Sequence, residues 1–286
     1  MKHAVVTGVS TGIGYACVKV LLADGFRVFG SIRKQEDATR LQQEFGENFA
    51  PLLFDVTDEP AVRAGAAKVA QRLGANVLDG LVNNAGIEVA GPLSHLSAEQ
   101  FRNQLDVNLV GPHIVTQAFL PLLGADPSRT GNPGRIINIS SSSGKIAGPF
   151  LGFYSASKFG LEGLSESLRR ELILFGIDVI IVGPGAITTP LWQKSEAGIA
   201  DRFRHTPFAH ALGKFERYSL QEGASGYPPE VIGKIVWRAL TTARPRVRYA
   251  IVPNRLTNWI IPRLIPMRIL DKLIARFMQI KRRQSA

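Results

Sequence analysis

Short runs of β-branched and apolar residues alternate along this chain with longer helical patterns, and that alternation restricts the fold more than any other feature. Strands are expected over 4–7, 26–31, 51–54, 77–82, 135–139 and 179–182. Helices are expected over 14–23, in a polar stretch through 45, and over 59–73, 97–123 and 153–175, with a further helix and strand near 228–252. The strand runs are apolar throughout instead of alternating, as in strands covered on both faces. An α/β fold satisfies this pattern: a doubly wound parallel sheet with helices on both faces. Ser97 followed by Gln100 supplies a capping box for the helix at 97–123. The segment 190–227 reads as less regular, with Trp192, Phe203, Phe208, Phe215 and Tyr218 among Gly and Pro. A loop of that length either covers a ligand or is a plain surface insertion.

Several classes of protein are excluded early. Cys17 is the one cysteine, so neither an internal disulfide nor a cysteine zinc site is expected, and no metal is expected at all. No apolar run reaches the roughly 18 residues of a membrane span. The first strand starts almost at Met1, which leaves no room for a signal peptide and sets the expectation of a cytoplasmic protein. The net charge of +11 suggests nucleic acid until it is mapped. Residues 231–286 hold 13 cationic side chains against Asp271 alone, while the rest of the chain is close to neutral. No nucleic-acid partner is therefore expected, and the charge is a property of the C-terminal segment.

The first strand runs into Thr7-Gly8-Val9-Ser10-Thr11-Gly12-Ile13-Gly14 and then a helix. Glycines there let the backbone turn tightly and approach a pyrophosphate at the helix N-terminus. By itself this G-x-x-x-G-x-G spacing also fits a turn without a ligand. Four further patterns follow in order: Asp55-Val56 after the third strand, Asn83-Asn84-Ala85-Gly86 at the end of the fourth, Ser141 with Tyr154-Ser155-Ala156-Ser157-Lys158 13 residues later, and Pro184-Gly185 with Thr189 after the sixth. Together they resemble the short-chain dehydrogenase/reductase family over residues 4 to about 190. Gly30-Ser31-Ile32-Arg33-Lys34 and the stretch 154–163 also look like its hydroxysteroid and retinol dehydrogenase branch. The resemblance implies a Rossmann-type dinucleotide-binding and catalytic domain over 1–253; from their own composition, 190–227 is expected as an insertion covering the substrate and 254–286 as a basic amphipathic helical extension. The resemblance also implies a homodimer or homotetramer, formed through the helices at 97–123 and 153–175.

Tyr154 and Lys158 are four apart on a helix and share a face. A free tyrosine titrates near pH 10; a neighbouring ammonium, together with an oxidised nicotinamide, favours tyrosinate. Tyr154 could then take the proton of an alcohol while hydride leaves its carbon, or return it to a carbonyl oxygen, with the Ser141 hydroxyl polarising that oxygen. Family pattern adds two roles: Lys158 on the nicotinamide ribose, and Asn108 holding a water between Lys158 and solvent. Asn108 also reads as a satisfied helix amide, and Ser141 as one turn residue in a run of four serines.

The residue closing the second strand selects the cofactor. A carboxylate there would bind the ribose 2′-OH of NAD(H), but Ile32 and then Arg33 stand in its place. The Arg33 fork suits a 2′-phosphate, with Ser10 as an added donor, so NADP(H) is favoured over NAD(H). Arg33 also fits a solvated helix entrance. The resemblance places Asp55 by the adenine, Asn84, Ala85 and Gly86 beneath the adenosine and ribose, and Pro184, Ile187 and Thr189 on the nicotinamide carboxamide.

The expected function is NADP(H)-dependent hydride transfer to or from a hydrophobic alcohol or carbonyl of steroid, retinoid or long-chain type, because Phe150, Leu151, Phe153, Leu191 and Trp192 should flank the nicotinamide. A dinucleotide-binding sensor or scaffold without turnover is the alternative. Glu88, just after Asn-Asn-Ala-Gly, either faces solvent or sets a carboxylate by the substrate entrance. On the expected helix at 266–280, Arg268, Lys272 and Arg276 form a basic line beside apolar residues. That helix either lies in a membrane interface or packs on the protein.

Overall fold

The computed structural model describes residues 1–190 and 198–280. Leu191 and Trp192, and the cations Lys281, Arg282 and Arg283, lie outside the described residues. Within them, β1 (His3–Val6), β2 (Arg27–Ile32), β3 (Phe49–Leu53), β4 (Gly80–Asn83), β5 (Arg135–Ile139), β6 (Asp178–Pro184) and β7 (Arg248–Ile251) form one parallel sheet in the order β3-β2-β1-β4-β5-β6-β7. The connecting helices are α1 (Gly12–Ala23), α2 (Gln35–Phe45), α3 (Glu59–Leu73), α4 (Ala98–Leu105), α5 (Gly111–Phe119), α6 (Gly152–Glu171), α7 (Ala209–Ser225) and α8 (Pro229–Thr241), and α9 (Met267–Met278) ends the described chain.

Successive side chains of a strand point to opposite faces, and both faces are covered. Ala4 and Val6 of β1 pack with Val18 and Leu21 of α1, Leu41 of α2 and Val236 of α8. Val5, between them, packs on the other face with Val62 and Val69 of α3 and Val115 and Phe119 of α5. This is why the strand sequences are apolar throughout. Burying one such side chain contributes about 1.5–3 kcal/mol. The chain leaves β1 toward β3 and then returns to β4 on the other side. The strand order therefore reverses between β1 and β4, opening a crevice at their C-terminal ends.

Three expectations change. The fourth strand begins at Gly80, not at residue 77, because the sheet partner register starts at Ala4↔Gly80. Val77 and Leu78 bond instead to the carbonyls of Thr130 and Leu122. The helix expected over 97–123 keeps its Ser97–Gln100 capping box, but a wide π-helical turn, Asp106–Val110, interrupts it. Pro112 has no N–H to return to the carbonyl of Asn108, so the regular ladder cannot continue. The insertion at 190–227 is not mainly irregular: it holds the 17-residue α7. Its Leu212 and Phe215 join Phe150, Phe203 and Met278 of α9 in a third apolar cluster. Its members Ala90, Phe150 and Phe203 come from the segments after β4, β5 and β6, which places the cluster beyond the strand ends.

Candidate active site

The turn between β1 and α1 is built for close approach. Gly8 and Gly12 hold left-handed backbone, φ 69° and 63°. A Cβ on Gly8 would lie 2.8 Å from the Cα of Ala85, and one on Gly14 would lie 2.3 Å from the carbonyl oxygen of Gly8. Thr11 makes no side-chain cap and the first turn of α1 has no acid, so its amides face the crevice without a protein partner from either source. That end of the helix favours an anion. Asn84 and Thr7 join the two strand ends: Asn84 Nδ2 donates to the carbonyls of Thr7 (2.8 Å) and Gly8 (3.1 Å), while Thr7 Oγ1 accepts from the amides of Asn84 (2.9 Å) and Ala85 (3.0 Å).

From this turn a cavity of about 710 Å³ runs across the sheet ends. Gly8, Ser10, Thr11, Gly12, Ile13, Arg33, Asp55, Val56, Asn84, Ala85, Gly86, Ser141, Tyr154, Lys158, Pro184, Gly185, Ile187 and Thr189 all line it. Of the site residues singled out in the sequence, Gly14, Asn108, Phe150 and Phe153 stand outside its wall: Leu151 alone of the three expected just before Tyr154 lines it, while Phe150 packs in the third apolar cluster and Phe153 stacks on Phe101. Gly14 is the packing glycine beneath the turn. Asn108 gives both amide protons to protein, to the Ile87 carbonyl (2.9 Å) and Ser157 Oγ (3.1 Å), and accepts from the Ile87 amide (2.9 Å). Its side chain therefore braces the segment after β4.

Ile32 is buried at the end of β2, whereas Arg33 is exposed and lies 3.5 Å from a carboxylate oxygen of Asp55. Burial raises the Asp55 pKa, but hydrogen bonds from the Thr57 amide and hydroxyl, with the Arg33 charge, outweigh it and hold the carboxyl below its usual range. Two features of this corner carried no sequence signal: Ser31 Oγ accepts the Gly8 amide proton (3.0 Å), and Arg40 Nη2 donates to the Ser10 carbonyl (3.1 Å).

At the other end, the Tyr154 hydroxyl hydrogen-bonds with the Ser141 side chain, and Ser141 Oγ also accepts from the Ser143 amide (3.1 Å). Lys158 is buried; its Nζ lies 5.7 Å from the Tyr154 ring centroid and donates to the Ile139 carbonyl (2.9 Å). Burial is the largest influence on both. It pushes the Lys158 ammonium down to about 8, against the opposing charges of Glu88 and Glu162. It pushes the Tyr154 phenol up, and the Glu88 carboxylate adds to that rise. The sequence led to the opposite direction for Tyr154 beside a cation. In the protein alone, desolvation and Glu88 outweigh the hydrogen bond with Ser141, and the tyrosine holds its proton. Glu88 lines the cavity, so it is not merely a surface carboxylate.

The rest of the wall comes from Phe215, Tyr218 and Glu222 of α7, from Thr257, Asn258 and Pro262, and from Met278 of α9. Apart from the two aromatics, no local pattern marks these residues, because the tail reaches the cavity only through tertiary packing.

The geometry has known counterparts. The family model for short chain dehydrogenase matches residues 2–200. The chain is 37% identical over 273 residues to an NADPH-dependent 3-dehydrocapnine reductase of Ornithobacterium rhinotracheale, covering 96% of each chain. It is 34% identical over 281 residues to human retinol dehydrogenase 5, covering 94% of this chain and 86% of that one. Among solved structures, a short-chain dehydrogenase from Streptomyces avermitilis superposes with a TM-score of 0.74 at 28% identity, covering 97% of this chain and 95% of that one. Matched by the family model over more than half of its length and by these relatives over nearly the full chain, the protein belongs to the short chain dehydrogenase family as an oxidoreductase acting on CH–OH groups, similar to its retinol dehydrogenase branch.

Proposed function

We propose that this enzyme passes a hydride between NADP(H) and a hydrophobic alcohol or carbonyl of steroid, retinoid or long-chain type, with Tyr154 as the acid and base. One observation carries the reading. The Tyr154 hydroxyl, hydrogen-bonded with Ser141 and backed by Lys158, stands in the same cavity that begins at the uncapped N-terminus of α1.

The residues fit a dinucleotide. The glycine turn would hold the pyrophosphate, Asp55 and Val56 the adenine, and Asn84, Ala85 and Gly86 the ribose, with Pro184, Gly185, Ile187 and Thr189 at the carboxamide and Lys158 on the nicotinamide ribose. The cofactor supplies or accepts the hydride. In reduction, Tyr154 donates its proton to the carbonyl oxygen as that oxygen gains charge, and Ser141 hydrogen-bonds the same oxygen. In oxidation, the tyrosinate takes the hydroxyl proton. The high Tyr154 pKa of the protein alone means that oxidation depends on charges brought by the bound cofactor.

NADP(H) is favoured because no acid closes β2 and Arg33 faces solvent at that corner. The NADPH dependence in the name of the 37% identical reductase supports this choice. Arg33 would have to share its charge between Asp55 and the 2′-phosphate. Aromatic and aliphatic side chains, Phe215, Tyr218, Met278 and Leu151, on the cavity wall support a hydrophobic substrate. A homo-oligomer through the α4–α5 and α6 helices is supported by Val110, Phe159, Ile173 and Leu174, which are exposed along them.

Titration with NADPH and NADH, followed by nucleotide fluorescence, tests the cofactor: Arg33→Ala should weaken NADPH and leave NADH unchanged. A panel of steroid, retinoid and aliphatic carbonyls tests the chemistry. Tyr154→Phe should bind NADPH and lose turnover by about 10²-fold or more. A parent protein that binds NADPH and turns over nothing on that panel would favour the sensor reading.

A further inference from the structure

The catalytic reading leaves the charge of the last 56 residues unused, and α9, among the described residues, carries part of it in an ordered pattern. Residues four apart on a helix form lines along its surface, and α9 carries three adjacent ones. Leu270, Ile274 and Met278 form the packed line; Ile274 and Met278 join Phe150, Phe203 and Phe215. Arg268, Lys272 and Arg276 form a cationic line. Between these two run Ile269, Leu273 and Phe277, which are 52%, 51% and 47% exposed. A helix that only closed its own domain would bury this middle line. Here Ile269 and Leu273 stay half exposed, and Phe277 is only partly covered by Tyr218.

The segment before α9 continues the surface. Leu256, Ile260, Ile261, Leu264 and Met267 are exposed, with Arg255 and Arg263 among them. The surface is held in place, not trailing. Trp259 is buried between the guanidinium groups of Arg248 (5.2 Å) and Arg263 (4.9 Å), and the Phe277 ring meets the edge of Tyr218 at 5.1 Å, with Lys214 Nζ 4.8 Å from its centroid. It also borders the cavity, since Thr257, Asn258 and Pro262 of this segment line that wall.

We propose that this rim, the outward apolar line of α9 with the segment 256–264, is a docking surface for an anionic lipid bilayer. The apolar line would enter the interface while the cations reach the phosphate level. Charge decides between the bilayer and a second copy of the chain. A two-fold dimer through this face would set Arg268, Lys272 and Arg276 near their own copies, with only Asp271 on α9 to answer them. Anionic head groups meet the same line with opposite charge. Docking would turn the cavity mouth toward the bilayer, so that a lipophilic substrate enters without crossing water; this last consequence rests on the reading of the cavity as a hydrophobic carbonyl site.

The test is co-sedimentation of the full-length protein with vesicles of phosphatidylcholine alone and of phosphatidylcholine mixed with phosphatidylglycerol. Binding is expected to the mixed vesicles and to fall as salt is raised. Reversing Arg268, Lys272 and Arg276 to Glu should weaken it by about a hundredfold or more. Ile269→Asp with Leu273→Asp should abolish it. Both variants should still reduce a short water-soluble carbonyl with NADPH at the parent rate. Three results would each overturn docking: equal indifference of the parent to both vesicles, unchanged binding in the charge-reversed variant, or a dimer seen by light scattering that the Ile269/Leu273 variant splits while no vesicle binds. Vesicle binding by a parent without turnover would overturn the catalytic reading alone.

Discussion

Replacing Lys158 by methionine should stabilise the protein while it abolishes turnover, and the pH dependence of that gain is the sharper part of the prediction. Lys158 is 5% exposed, and its pKa falls from 10.5 to about 8, chiefly through burial. At neutral pH both folded and unfolded chains carry the proton, and confining that ammonium costs the folded state about 3 kcal/mol. Methionine fills a similar volume without a charge. It also removes the donor to the Ile139 carbonyl, a loss of about 1 kcal/mol, which leaves the variant about 2 kcal/mol ahead. Between pH 8 and 10.5 the unfolded parent binds the extra proton and the folded parent does not, so the parent's stability rises with pH. Near pH 9.5 it recovers about 2 kcal/mol, and the two proteins should unfold alike. Urea unfolding followed by tryptophan fluorescence at both pH values measures this directly. A variant less stable than its parent at neutral pH, or a gap that does not close as pH rises, would refute the argument. The expected result marks Lys158 as a residue kept for chemistry at the expense of stability.

Glu88→Gln removes a carboxylate that raises the Tyr154 pKa, so the rise of alcohol oxidation with pH should move to lower pH by roughly one unit or less; an unmoved profile would take Glu88 out of the site. Gly8→Ala forces a side chain into left-handed backbone and against Ala85; a loss of about 1–3 kcal/mol from the backbone alone, with weaker NADPH binding, should appear in thermal unfolding and titration. Cys17 is fully buried and its thiol is pushed up to about 12 by burial, so a thiol reagent should label it only as fast as the protein opens. Prompt labelling of the native protein would contradict the packing of α1.

Much of the fold is legible in the sequence because its signals are local. Apolar strands such as β5, Arg135–Ile139, and the capping box at Ser97 are readable residue by residue, and five of the six expected strands overlap their positions closely. The fourth is displaced because Val77 and Leu78 are as apolar as the strand that follows, while only the register against β1 decides where pairing begins. The interruption at Asp106–Val110 and the helix Ala209–Ser225 are harder to read. The first is a local effect of Pro112 within an otherwise continuous helical pattern; the second carries its apolar residues toward a cluster made of four other segments.

The same division holds at the site. The sequence, through its resemblance to the family, pointed to the glycine turn, Asn84-Ala85-Gly86 and the Tyr154–Lys158 pair, all of which line the crevice, but not to Thr257, Pro262 or Met278 of its wall. It also determined that no carboxylate closes β2. Tertiary structure decided how those groups behave. The proton stays on Tyr154 because burial and Glu88, from separate segments, outweigh the hydrogen bond with Ser141. Asn108 is turned from the cavity by its bonds to Ile87, and Arg33 is drawn to Asp55. The tail becomes a wall of the cavity through Thr257, Asn258, Pro262 and Met278. Spacing places side chains on a face, but desolvation and long-range charge exist only once distant segments have packed together.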